Sequence, residues 1–149
     1  MHIRTEDPAQ PEIAALLERG EAESARLYPA ESNHHLPLDA LRAAHVRFHV
    51  ARDAHGHAIG TGALVLHGAW AEVKRIWVEP HTRGRSLSKA ILHALEADAR
   101  RHGVRVLRLE TGIHSHAALR LYRTAGFVER PPFADYRPDR LSVFMEKHL

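Results

Sequence analysis

The sequence predicts one α/β domain, a central mixed sheet flanked by helices, and three observations carry that prediction. A length of 149 residues suits a single domain with an adequate core, here 1–149. Strand-forming runs at 46–52, 58–66 and 72–78 are joined by short turn-like pieces, the pattern of an antiparallel meander. The third run then feeds a glycine-containing loop, an amphipathic helix and the compact strand Val104–Glu110. Such a βαβ unit sets its two strands parallel.

Taken in order, His2–Thr5 reads as a short first strand, broken by Pro8 and Pro11. A helix follows from about Glu12 to Leu27, with Ile13, Leu16, Leu17 and Leu27 on its apolar face. Gly20 weakens it internally and Pro29 ends it. The piece after it is irregular until Asp39, which is expected to cap a short helix reaching Ala43 or Ala44. Val46–Arg52 and Ala58–Leu66 read as hairpin partners around the turn Asp53–His57. Gly60 and Gly62, inside the second of these, read as a bulge or a point of close packing. Glu72–Val78 is the third strand, stopped by Pro80.

Ser86 or Ser88 is a candidate cap for the next helix, which places Leu87, Ile91 and Leu95 on one stripe and closes at Gly103. After Val104–Glu110, Ser115 is expected to cap a helix carrying Ala118, Leu121, Tyr122 and Ala125. Gly126 ends it. Phe127–Glu129 starts another strand, residues 131–140 form a loop, and Leu141–Lys147 is the last strand.

Composition excludes several classes. An apolar content of 44% is ordinary for a globular chain. No apolar run reaches the length of a membrane span and no leader pattern stands out, so no membrane partner is expected. The absence of cysteine fits a reducing, cytoplasmic compartment. The formal charge is +3 with histidines neutral. This fits a solvated basic surface or the steering of an anionic ligand. Dispersed arginines and few aromatics argue against nucleic acid. The 14 histidines show no HExxH and no recurring ligand spacing, so no metal is expected.

The chemistry gathers between Glu72 and Ala99. A strand leading into free backbone N–H groups at a helix start is an anion-binding device, and Arg83 and Arg85 add charge. The stretch VEPHTRGRSLSKAIL resembles the acyl-CoA-binding signature of the GCN5-related N-acetyltransferase (GNAT) family, V-x-P-x-x-R-G-x-G-x-G/A-x-x-L-L. Val78, Pro80, Arg83, Gly84, Ile91 and Leu92 fit it. Ser86 and Ser88 stand where the pattern prefers glycine-like residues. Downstream, LRLYRTAGF at Leu119–Phe127 is similar to the family's A-x-x-L-Y-x-x-x-G-F motif. The order β-α-α-β-β-β-α-β-α-β-β is that of the GNAT (acyl-CoA N-acyltransferase) fold.

The resemblance implies transfer of an acetyl group from acetyl-CoA, as co-substrate, to a primary amine of a small molecule or peptide. A non-catalytic acyl-CoA-binding or regulatory module on the same fold is the alternative. Arg83, Gly84, Arg85, Ser86, Leu87 and Ser88 are then expected to hold the pyrophosphate. Ile76, Trp77 and Val78 would run beside the pantetheine arm, along a strand edge exposed by a splay against Val104–Glu110. Tyr122 is the expected proton donor to the leaving thiolate. Glu72 is the candidate general base, on a strand face shared with Lys74, Ile76 and Val78, with Glu110 and ordered water as the other choices.

Glu31, His34, His35 and Glu110 are candidates for acceptor binding, with Ser32 beside them. Trp70, Trp77, Phe133 and Tyr136 wall an acceptor pocket or belong to the core. A homodimer is expected, through the last strand or a nearby edge.

Overall fold

The computed structural model describes residues 1–84 and 86–149. Its elements follow the expected order. They are β1 (His2–Thr5), α1 (Pro11–Leu27), α2 (Leu38–Leu41), β2 (Val46–Arg52), β3 (Ala58–His67), β4 (Trp70–Val78), α3 (Leu87–Arg101), β5 (Val106–Gly112), α4 (His116–Thr124), β6 (Val128–Arg130) and β7 (Ser142–His148). Among the described residues the strands form one seven-stranded sheet in the order β1-β2-β3-β4-β5-β7-β6. β4 and β5 are parallel, as the βαβ unit requires, and the other pairs are antiparallel. The mixed sheet flanked by helices is thus the architecture observed.

Each face of the sheet has its own core. On one face α1 and α2 bring Ile13, Leu16, Leu17 and Leu41 against Phe48, Val50 and Ala63. On the other, α3 and α4 bring Ile91, Leu92, Leu95 and Leu119 against Leu64, Val73, Leu107 and Leu109. Ile91, Leu92 and Leu95 are fully buried, and each contributes about 1.5–3 kcal/mol. The glycines of β3 explain how closely α3 can approach. A Cβ at Gly62 would stand 2.6 Å from Ile91 Cγ2, and one at Gly60 would stand 2.8 Å from Ile91 Cδ1. The register between β3 and β4 also shifts opposite Gly62, between Thr61 and Ala63, so that glycine serves a bulge as well.

Several local expectations are corrected. β1 ends at Thr5, ahead of both prolines, and Pro11 opens α1 at its first turn, where proline's missing N–H costs nothing. Pro37, not Asp39, occupies the N-cap of α2, which ends at Leu41. β5 starts at Val106 because the N–H of Val104 closes α3 on the carbonyl of Ala99, beyond Gly103 at φ 75°. Ser115 sits at the N-cap of α4 without a capping bond; its hydroxyl pairs with Tyr28 instead, at 2.8 Å. The last strand β7 lies between β5 and β6, so the open edges are β1 and β6. No helix among the described residues is long and apolar enough to cross a membrane.

Candidate active site

The site begins where the sheet opens. β4 and β5 pair only from Trp70 with Val106 to Glu72 with Arg108. Beyond that both strands continue, β4 to Val78 along β3 and β5 to Gly112 along β7, but no longer against each other. The β5-facing edge of Val73–Val78 is therefore unpaired by sheet, which is the splay the resemblance implied. A cleft of about 670 Å³ occupies the gap, within the range of small-molecule sites.

A bulge in β4 decides what faces this cleft. Thr61 pairs with Trp77 but Ala63 with Lys74, leaving one extra residue on β4. Arg75 takes a left-handed φ of 60°, and the Thr61 hydroxyl donates to its carbonyl at 2.8 Å. The extra residue reverses the alternation. Glu72 and Lys74 join the α1 side, whereas Ile76 and Val78 pack with the α3 core. The expectation that Glu72 shares a face with Ile76 and Val78 is corrected accordingly, because strand alternation holds only while the ladder is regular.

Most of the residues singled out in the sequence come together here. Ile76, Val78, Arg83, Gly84, Ser86, Leu87 and Ser88 line the cleft toward α3, Trp77 lines it from the α1 face, and Tyr122 lines it from α4. His34, His35 and Glu110 line it toward the α1–α2 connection. Arg85 lies outside the described residues. Glu31 is exposed on a short 3₁₀ turn, Ala30–Ser32, and does not line the cleft. The N-terminus of α3 opens onto the cleft. The first intrahelical bond there is donated by Ala90 to Ser86, so the N–H groups of Leu87, Ser88 and Lys89 are the orphan donors of the first turn. Gly84 adopts φ 82° and Ser86 φ 59°. The second value gives a physical reason for the family's preference for glycine at that position.

Arg83 is stacked over Trp77, its guanidinium 4.9 Å from the ring centroid. Trp77 donates from Nε1 to Glu79, which Arg19 also holds. The ring lies against Gly20, where a Cβ would still find 3.4 Å.

Glu72 is buried, and its carboxylate is already engaged. Tyr136 donates to it at 2.5 Å, and Lys74 donates to both, to the phenol oxygen at 2.8 Å and to the carboxylate at 3.3 Å. Neither Glu72 nor Tyr136 lines the cleft, whereas Lys74 does. Glu110 is placed differently. It faces the cleft from β5, accepts from the Ser142 hydroxyl at 2.8 Å, and its pKa is pushed up from 4.5 to about 7. Burial is the main cause, assisted by the charges of Glu72 and Asp139 and opposed by Ser142 and Lys74.

Tyr122 is buried edge-to-face with Phe127, and burial together with the Glu110 charge raises its pKa, so the phenol keeps its proton. Trp70 and Phe133 pack with Tyr136 and Phe144 in an aromatic cluster, and none of the four lines the cleft.

Sequence reasoning passed over Arg75 and Tyr28, whereas Ser32, placed there beside the acceptor candidates, does line the cleft. Arg75 had a signal: two adjacent cations, Lys74 and Arg75, in the middle of a strand. Tyr28 had none, because its partners are distant in sequence. Tyr28 reaches Ser115 and the N–H of His114. Ser32 donates to Asp139 at 2.7 Å. Gly112 makes the first contact possible, since a Cβ there would overlap the Tyr28 hydroxyl at 2.0 Å.

Comparison with known proteins agrees with this geometry. The profile of the Acetyltransferase (GNAT) family matches residues 12–127. The chain is 42% identical to an IAA acetyltransferase of Azospirillum brasilense, covering 99% of this chain and 97% of that protein. It is 32% identical to an uncharacterized N-acetyltransferase of Bacillus subtilis, YsnE, over the full length of both. A crystal structure from Klebsiella pneumoniae, provisionally assigned as an acyl-CoA N-acyltransferase, superposes with a TM-score of 0.85 at 40% identity, over 99% of this chain and 97% of that one. With the opened strand pair, the helix N-terminus beside it and these matches, the chain belongs to the GNAT acetyltransferase family and is an N-acetyltransferase that moves the acetyl group of acetyl-CoA to an amine.

Proposed function

We propose that the cleft between β4 and β5 binds donor and acceptor together, and that Glu110 and Tyr122 carry the protons. The carrying observation is that these two side chains face one cleft with complementary states. Glu110 is poised near neutrality and Tyr122 is held protonated. The donor's pyrophosphate fits the free N–H groups of α3 and the Arg83 charge. Ser86 and Ser88 offer hydroxyls at the same place. The pantetheine arm fits the open edge of β4, with a backbone N–H near Trp77 or Val78 available to the thioester oxygen.

The acceptor amine then approaches from the side of His34 and His35. Its nitrogen attacks the thioester carbonyl, and the N–C bond forms as the carbonyl electrons move to oxygen. Glu110 takes the proton from nitrogen. The C–S bond breaks, and the departing thiolate takes the proton of Tyr122. Transfer from Glu110 back to Tyr122 restores both, so no proton is lost or gained over the cycle. Glu72 supports this by holding Tyr136 and Lys74 rather than by touching the amine. A homodimer through the short β6 edge, where Val128 is 62% exposed, and a cytoplasmic setting complete the proposal.

The test is release of CoA thiol from acetyl-CoA in the presence of a panel of primary amines, with calorimetry of CoA alone. CoA binding together with amine-dependent thiol release supports the reading. CoA binding with no release from any amine defeats it. Light scattering that gives a monomer mass removes the dimer.

A further inference from the structure

Arg75 is at odds with its surroundings in two ways that a structural role leaves uncompensated. It holds a left-handed φ of 60°, a conformation disfavoured for any residue with a Cβ. Its side chain is only 6% exposed, and Nε is buried with no hydrogen-bond partner among the described residues. Nη2 is engaged, donating to Glu21 at 2.5 Å and to the carbonyl of Leu36 at 2.9 Å. Arg75 itself lines the cleft, beside Lys74 and the two histidines. Strain and an unpaired polar group at one bulged residue in a binding cleft point to a ligand rather than to packing.

We propose that the amine acceptor carries a carboxylate and that Arg75 is the subsite that receives it, an inference that rests on the acetyl transfer proposed above. The ion pair with Glu21 is lopsided. Glu21 is 42% exposed while Arg75 is buried. The glutamate can turn into water when a ligand carboxylate arrives, and the arginine stays. The other acids near the cleft are engaged: Glu23 by Arg26, Glu72 by Tyr136 and Lys74, Asp139 by Ser32, Glu110 by Ser142. A planar monoanion suits the guanidinium edge of Nε and Nη2 once Glu21 has vacated it. A phosphate dianion would meet Glu21, Glu72, Glu110 and Asp139 with twice the charge.

The test uses product acids so that it reads binding and not turnover. N-acetylglycine, N-acetyl-β-alanine and N-acetyl-leucine are titrated by calorimetry into the CoA-saturated protein, each beside its methyl ester. At least one acid is expected to bind tenfold or more tightly than its ester. Arg75→Gln should abolish that difference and leave ester binding as it was. Glu21→Gln should widen it severalfold, a gain that a merely structural arginine would not produce. Should Arg75→Gln melt early, Arg75→Lys keeps the charge without the fork and should still lose most of the preference. No acid bound better than its ester, or a preference that survives Arg75→Gln, overturns the inference. Acids bound through Arg75 without acetylation of any parent amine would leave this subsite standing and defeat the proposed transfer.

Discussion

Glu110→Gln separates a buried, poised carboxyl from an ordinary one by stability as well as by rate. In the folded protein the group's pKa is raised from 4.5 to about 7, chiefly by burial. A raised carboxyl pKa means that the protonated form fits the fold, so stability is intact below about 4.5 and is lost as pH climbs through about 7. The amide of the variant cannot ionise and can still accept from Ser142. Its advantage over the native residue should therefore be small at pH 5 and larger at pH 8, growing by about 2–3 kcal/mol across that interval at about 1.4 kcal/mol per tenfold change in protonation. For a chain of this size that is roughly 5–10 °C in Tm. Thermal melts of both proteins at half-unit steps, in buffers of matched ionic strength, read the difference directly. The same variant should lose roughly 10²–10⁴-fold in turnover, and the native turnover should rise with pH through about 7. A Tm difference that stays flat from pH 5 to pH 8 would show that Glu110 ionises as in water, and the assignment of the amine's proton to it would fall.

Four further outcomes are expected. Tyr122→Phe keeps the edge-to-face contact with Phe127 and should lower turnover roughly 10²-fold with CoA affinity and Tm nearly unchanged; an unchanged rate returns the ring to a packing role. Ser86→Gly relieves the left-handed φ of 59° and should raise stability by about 1 kcal/mol, and lower stability in denaturant melts would contradict the loop geometry. Gly62→Ala places a methyl 2.6 Å from Ile91 and should destabilise by about 1–3 kcal/mol. Gly20→Ala, in the middle of α1 with 3.4 Å to Trp77, should stabilise by about 0.5–1 kcal/mol. A reversed order for these two glycines in urea melts would refute the packing described for α1 and α3.

The sequence by itself determined the element order, the parallel crossover and most of the donor side of the cleft. Those features are local. Leu87, Ile91 and Leu95 recur at helical spacing, Pro80 and Gly84 punctuate the turn, and the residues from Val78 to Ser88 that line the cleft lie within one contiguous stretch. Tyr122 was legible because it sits in a motif of fixed spacing. Tertiary structure alone decided the rest. The face of Glu72 depends on a bulge at Arg75 that exists only through the pairing of β4 with β3, and no count along one strand can reveal it. The separation of β4 from β5 after Glu72 depends on two strands that a whole helix keeps apart in sequence. Glu110 owes its raised pKa to burial and to charges from β4 and the β6–β7 connection, and Tyr28 owes its position to Ser115 and to the missing Cβ of Gly112. Burial and electrostatic fields are sums over neighbours in space, so the element that holds the candidate base was written in the sequence while the protonation of that base was set by the fold.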